Sequence, residues 1–281
     1  IGWAETSITP SRPISLHGQL YYRVSEYVHD PIYVTALAME QDEEQCIMVS
    51  LDVGGVYPPY LKKIREAVDG IEGIDAQKIT FSATHTHNSS QFSGDLHREV
   101  FEQYIGGDKI LEINKPEDIL TSKEGEDFLL GKVTYVILSA WRNRKPGGIS
   151  YASDYAAIGH NRRPIFALPD RGTESKMYGD CSLDSFLRFE GPVDHTIDMI
   201  YTWDMERNLT GVLVDVPCPS QVYELHRFIS ADYWAPARNE IRSRLGNIYV
   251  LSICGAAGDQ NPLDLVRLSK TNSEALIEWN A

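Results

Sequence analysis

The sequence predicts an α/β domain: mixed β-sheets in layers, flanked by helices. Three observations predict it. Short apolar, β-branched runs alternate with segments of helical periodicity. Two early runs are separated only by a turn, which implies antiparallel pairing beside any parallel strands. The length, 281 residues, fits one large domain or two small ones and can bury a sizeable core; a single domain over residues 1–281 is expected, truncated at its C-terminus if the chain is a fragment.

The run Asp30 to Glu40 reads as a strand, Gln41 to Gln45 as a turn, and Cys46 to Leu51 as the paired strand, ending at Asp52. Tyr60, Leu61, Ile64, Ala67 and Val68 recur at helical spacing, and Gly70 stops that helix. Ile79 to Ala83 is a strand that runs into His85 and His87. If the strand continues through them, alternation sends both imidazoles to one face. Residues 90–126 carry many charges, Gly106-Gly107 and Lys115-Pro116, and read as an irregular excursion or lid. Phe128, Leu129, Val133, Val136, Ile137, Ala140 and Trp141 form an apolar helical stripe. Ile149 to Ile158 reads as a strand, and Thr196 to Asp204 with Gly211 to Val216 as a hairpin. Ser230 is placed to cap a helix carrying Trp234, Ala237, Ile241 and Leu245, which Gly246 stops. Asn247 to Cys254 is the last strand, and Ser273 to Asn280 reads as a helix cut short.

Charge excludes some functions. Lys and Arg number 26 against 40 Asp and Glu, a formal net charge of −14. That balance argues against nucleic acid, whose binding needs basic patches, and against charge-driven docking to anionic membranes. No apolar run approaches the roughly 20 residues of a transmembrane helix. The sequence opens at Ile1 without Met or signal peptide, which reads as a processed or trimmed start. Four cysteines are too few for a disulfide framework, and Cys46 and Cys254 read as buried thiols.

Four predicted strands end in chemically loaded turns: Asp52 before Gly54-Gly55; His85 and His87; Pro217-Cys-Pro-Ser-Gln221; and Gly255-Ala-Ala-Gly-Asp259-Gln-Asn261. Ligands collect at strand ends in layered α/β folds because the loops there converge. Imidazole and thiolate are zinc ligands, and glycines let backbone N–H groups approach an oxyanion. Arg162 and Arg163 suit a carboxylate, phosphate or sugar hydroxyl.

Ala83-Thr-His-Thr-His87 resembles the signature loop of neutral/alkaline ceramidases and their bacterial relatives. Trp3 to Pro10 resembles that family's opening strand. Asn161-Arg162-Arg163-Pro164, Arg227-Phe-Ile-Ser-Ala-Asp232 and Gly258-Asp259-Gln-Asn-Pro262 follow in the family's order. The resemblance implies the fold of the ceramidase catalytic domain, a zinc ion, and hydrolysis of an N-acyl amide bond. His85 would ligate zinc, and His87 would act beside it as ligand or proton shuttle. Cys218 stands where the family has its second zinc histidine, as a replacement ligand or a lost one. Arg163 stands at the serine of the family's Asn-Arg-Ser-Pro motif and is no nucleophile. Asp259 would orient substrate. Asn161, Arg162, Arg163, His17 and Asp52 complete the candidate substrate contacts. The family's further ligands, a Glu and a Tyr, follow the Gly-Asp loop, whereas this sequence stops at Ala281. A fragment or an incomplete metal site is therefore expected. The resemblance also implies a small-molecule, lipid- or glycan-like substrate and a secreted or periplasmic location. The rival reading is a carbohydrate- or lipid-binding protein that kept the scaffold without a complete metal site.

Overall fold

A computed structural model describes residues 1–19, 23–90, 92, 118–177 and 181–267. In chain order the main elements are β1 (Gly2–Ser7), β2 (Tyr33–Gln41), β3 (Glu44–Leu51), α1 (Pro58–Val68), β4 (Ile79–Ala83) and α2 (Ser122–Arg142). They are followed by β5 (Gly147–Tyr155), β6 (Thr196–Asp204), β7 (Leu209–Val216), α3 (Trp234–Leu245) and β8 (Tyr249–Cys254). One four-stranded sheet has the order β1-β2-β3-β4, the other β8-β7-β6-β5. Both are mixed, as the sequence implied. The pairs β3–β4 and β7–β8 are parallel, and the remaining neighbours are antiparallel.

The two sheets lie face to face, and β2 shows why its residues suit that position. Leu37 packs with Trp3, Leu213 and Leu251, while Val34, Ala36 and Ala38 point the other way into the core with α1 and α2. A strand buried on both faces needs apolar residues at nearly every position. Trp3 pegs the sheets together. Its indole stacks on Tyr249 at 5.6 Å and donates to Thr202 Oγ1 at 2.9 Å. A side chain at Gly211 would strike the ring.

Helix α2 begins earlier than its stripe suggests. Thr121 and Glu124 form a capping box, so the last residues of the expected 90–126 excursion are its first turn. Residues 91 and 93–117 of that excursion lie outside the described residues, as does the expected helix at 273–280. Helix α3 also departs from expectation. Its cap residue is Tyr233, and Ser230 instead bonds Asp30 and the Asp232 amide. Leu245 is exposed, and Arg238 takes a buried place on the helix. A small sheet of Pro164–Ala167, Thr173–Ser175 and Phe186–Phe189 was not anticipated, because its strands are too short to show a period.

Candidate active site

Each parallel pair is a strand–helix–strand unit: β3–α1–β4 and β7–α3–β8. Parallel strands end on the same side, with Leu51 level with Ala83 and Val216 level with Cys254. The four turns singled out in the sequence therefore do converge. Gly54, Gly55, His85, Gln221 and Gly255 to Gly258, apart from Ala256, border one open cleft of about 290 Å³. Arg162 joins them from outside the four turns. The two-residue strands His160–Asn161 and Gln260–Asn261 pair antiparallel and bring it there.

The His-Thr-His segment does not continue its strand. β4 stops at Ala83, and His85 adopts a left-handed conformation with φ +58°. Alternation is thus not what brings the imidazoles together. They meet because the loop folds back, with ring centroids 5.1 Å apart. Buried hydrogen bonds hold this shape. The Thr84 amide bonds Leu51 O, Thr84 O accepts from Ser220 Oγ, Thr86 Oγ1 donates to Ser230 O, and the His87 amide bonds Ser220 O. Arg23, which the sequence reading missed, is 1 % exposed and donates to the carbonyls of His17, His87 and His226. Its signal in the sequence is nil, because the acceptors are backbone carbonyls, two of them far away in the chain.

His85 carries the chemistry most clearly. Its Nδ1 lies 2.5 Å from Gly54 O. A carbonyl only accepts, so Nδ1 bears the proton and Nε2 keeps a lone pair. Burial, then the neighbouring His87, hold the imidazole pKa below its ordinary value, so the ring is neutral at pH 7. His87 is buried, and its Nδ1 sits 3.2 Å from Glu224 Oε2, off the line of a hydrogen bond. Gln19 Nε2 donates to the same carboxylate oxygen at 3.0 Å. Glu224 is a second member of the site that sequence reasoning missed. His17 stands edge-on to His87 at 6.4 Å and bonds Tyr57 OH through Nε2.

The other candidates divide. Asn161 donates to Asp259 Oδ2 at 2.8 Å, and Gln260 donates to Asp259 Oδ1 at 2.7 Å. Asp259 thus braces the turn that carries Arg162, whose Nη2 bonds Gly258 O at 2.9 Å. Arg163 is exposed and pairs with Glu190 at 3.2 Å, away from the residues bordering the cleft. Asp52 is fully buried. It chelates Arg238 with both oxygens, at 2.6 and 2.7 Å, and accepts from the Tyr33 amide, so it has nothing left for a substrate.

Cys218 does not join the histidines. Its thiol is buried against Pro219 O, burial pushes its pKa well up, and among the described residues it does not group with the histidines as a metal ligand. Cys254 borders the cleft instead, half-buried, with its thiol pushed up to about 12, chiefly by burial. Cys46 is half-buried and Cys181 buried. Among the described residues, no three His, Cys, Asp or Glu side chains come together to hold a metal. The donor chemistry of the His85–His87 pair suits zinc, but the described set does not complete a site for it. No described helix is long and apolar enough to cross a membrane.

The backbone superposes on neutral ceramidase from Pseudomonas aeruginosa with a TM-score of 0.72. The fold is that of solved ceramidases. The match covers 98 % of this chain and 42 % of that one, at 15 % identity. A ceramidase complexed with C2 matches at TM-score 0.66 and 15 % identity, over 93 % of this chain and 38 % of that one. The chain therefore spans about two fifths of the length of these structures. No protein-family model and no curated protein matches the sequence.

Proposed function

We propose that the protein hydrolyses an amide or related acyl bond in the cleft at the strand ends. The observation that carries this reading is the His85 Nδ1–Gly54 carbonyl bond, which leaves Nε2 as a lone pair beside the cleft. An imidazole fixed in that tautomer and neutral at pH 7 is a general base. Nε2 takes a proton from water as the water oxygen attacks the acyl carbon. The C–N bond then breaks, and the proton passes to the leaving amine. The turns at Gly54-Gly55 and Gly255 let the substrate approach the backbone closely. The ceramidase fold supports the reading as scaffold, and fold alone does not carry an activity.

Zinc belongs to this proposal in a limited form. The same Nε2 lone pair could instead hold zinc, which would polarise the acyl carbonyl; His85 would then not be the base, and His87 beside it would be left to move the proton. Two further ligands would have to come from outside the described residues. A second reading, a glycan- or lipid-binding module without turnover, is favoured by Cys218, which stands as a buried thiol apart from the histidines.

One experiment separates them. Purified protein is offered a panel of fluorogenic N-acyl amides, with added zinc and after chelation, and its metal content is measured. Turnover that disappears in His85→Ala with the fold intact supports the hydrolase. Binding without turnover under every metal condition supports the module and sinks the hydrolase.

A further inference from the structure

Among the described residues that border it, the cleft has one cation and no anion. Arg162 alone of these is charged at pH 7, and His85, Gln221, Cys254 and small residues make up the rest. Several other arginines of this acidic chain pair with carboxylates: Arg12 with Glu124, Arg144 with Glu40, Arg238 with Asp52, Arg242 with Glu5. Arg162 has none within ion-pair distance among the described residues. Asp259, whose backbone carbonyl accepts from the Arg162 amide, spends both carboxylate oxygens on Asn161 and Gln260. One guanidinium nitrogen is fixed to Gly258 O, and Nε is buried without a partner. The group is held in place with donors unspent.

A second, independent observation points to a ligand. Gln221 borders the same cleft, is 2 % exposed, and its Oε1 has no hydrogen-bond partner. Burying an amide oxygen unsatisfied is costly, and a donor on a bound molecule removes that cost. The apolar space next to the cleft among the described residues is small. The space behind Gly54-Gly55, walled by Val53, Tyr60, Phe92 and Leu129, has room for about 10 Å³, one water and no alkyl chain.

We propose that the cleft takes a small N-acyl amino acid, with Arg162 holding its carboxylate and Gln221 Oε1 accepting the N–H of the acyl amide. The turnover part rests on the hydrolase reading; the recognition part does not. In turnover, water adds to the acyl carbon, the C–N bond breaks, and the products are a carboxylate and an amino acid whose amine has taken the proton. The chain's net charge of −14 does not forbid an anionic ligand. Salt screens distant surface charge within about 8–10 Å, whereas a contact guanidinium is screened far less.

The test measures binding and turnover separately. N-acetylglycine, N-acetylalanine and N-acetylglutamine are titrated calorimetrically beside their C-terminal methylamides, and N-octanoylsphingosine is assayed in detergent. The free acids should bind roughly ten- to a hundredfold tighter than the methylamides, the range of a charge-assisted hydrogen bond. Arg162→Met should erase that preference, and Arg162→Lys should keep part of it, since lysine retains the charge without the fork. Equal binding of acids and methylamides overturns the proposal, as does a preference that survives in Arg162→Met. Turnover of N-octanoylsphingosine without affinity for the acids also overturns it, while leaving the hydrolase reading intact. Selective binding of the acids without hydrolysis supports the proposal and counts against the hydrolase reading. If Arg162→Met does not fold, the wild-type acid and methylamide pairs decide alone.

Discussion

Asp52 and His85 sit just past neighbouring parallel strands, whose last residues, Leu51 and Ala83, are level. As sequence they look equally loaded. In the structure they have opposite fates. Both carboxylate oxygens of Asp52 are engaged: Arg238 takes each of them and the Tyr33 amide takes one again. His85 has one nitrogen tied to Gly54 and the other uncommitted. It also sits in a backbone conformation that L-residues avoid. A polar group with all its valences satisfied is architecture. One held firmly by half its valences is where chemistry can be done.

The largest expected effect breaks the architectural member. Asp52→Ala strands the Arg238 charge, which is 4 % exposed, and should cost about 3–5 kcal/mol in urea unfolding. A loss below about 1 kcal/mol would mean that the pair is not structural. Next comes Asp232, fully buried, whose carboxyl is pushed by burial from 3.8 up to about 6 against the backbone amides of Tyr223, Tyr233 and Val222. The folded state therefore holds this proton more tightly than the unfolded state. Its contribution is fully present below about pH 4 and is lost as pH rises to about 6, a fall of roughly 3 kcal/mol. Urea midpoints at pH 4 and pH 7 should show that slope, and Asp232→Asn should flatten it whatever the variant's absolute stability.

Gly54 links the two kinds of behaviour. A Cβ there would strike the His17 imidazole, so either His17 or the Gly54 carbonyl must move. Gly54→Ala should cost about 1–3 kcal/mol. If the carbonyl moves, His85 loses its fixed tautomer, which nitrogen chemical shifts of the ring would report. An unchanged His85 spectrum would assign the whole cost to His17 and leave the site untouched.

The difference between these regions also marks what the sequence made legible. The strand ends could be read because each has a run of apolar residues before it, and layered α/β folds gather such ends. That convergence is what the cleft shows. The fate of each polar side chain could not be read, because it depends on partners far away in the chain: Arg238 for Asp52, Glu224 for His87, Glu190 for Arg163. Arg162 and Arg163 are adjacent and chemically alike, yet one borders the cleft and the other pairs at the surface. Two-residue strands set that choice, and they carry no periodic signal.

The smallest expected effect on stability is at His85 itself, and it is the sharpest test of the comparison. Replacing His85 by glycine removes one hydrogen bond to Gly54 O, worth about 1 kcal/mol net. It also removes the Cβ from a residue at φ +58°, relieving about 1–2 kcal/mol of backbone strain. The two nearly cancel, so His85→Gly should unfold in urea within about 1 kcal/mol of the wild type, or be slightly more stable. Amide hydrolysis, on the proposed reading, should vanish in the same variant. A stabilised, inactive His85→Gly is what a strained functional residue predicts. If the variant instead unfolds as readily as Asp52→Ala, then His85 is a structural residue too, and the uncommitted Nε2 loses its claim to be the reacting atom.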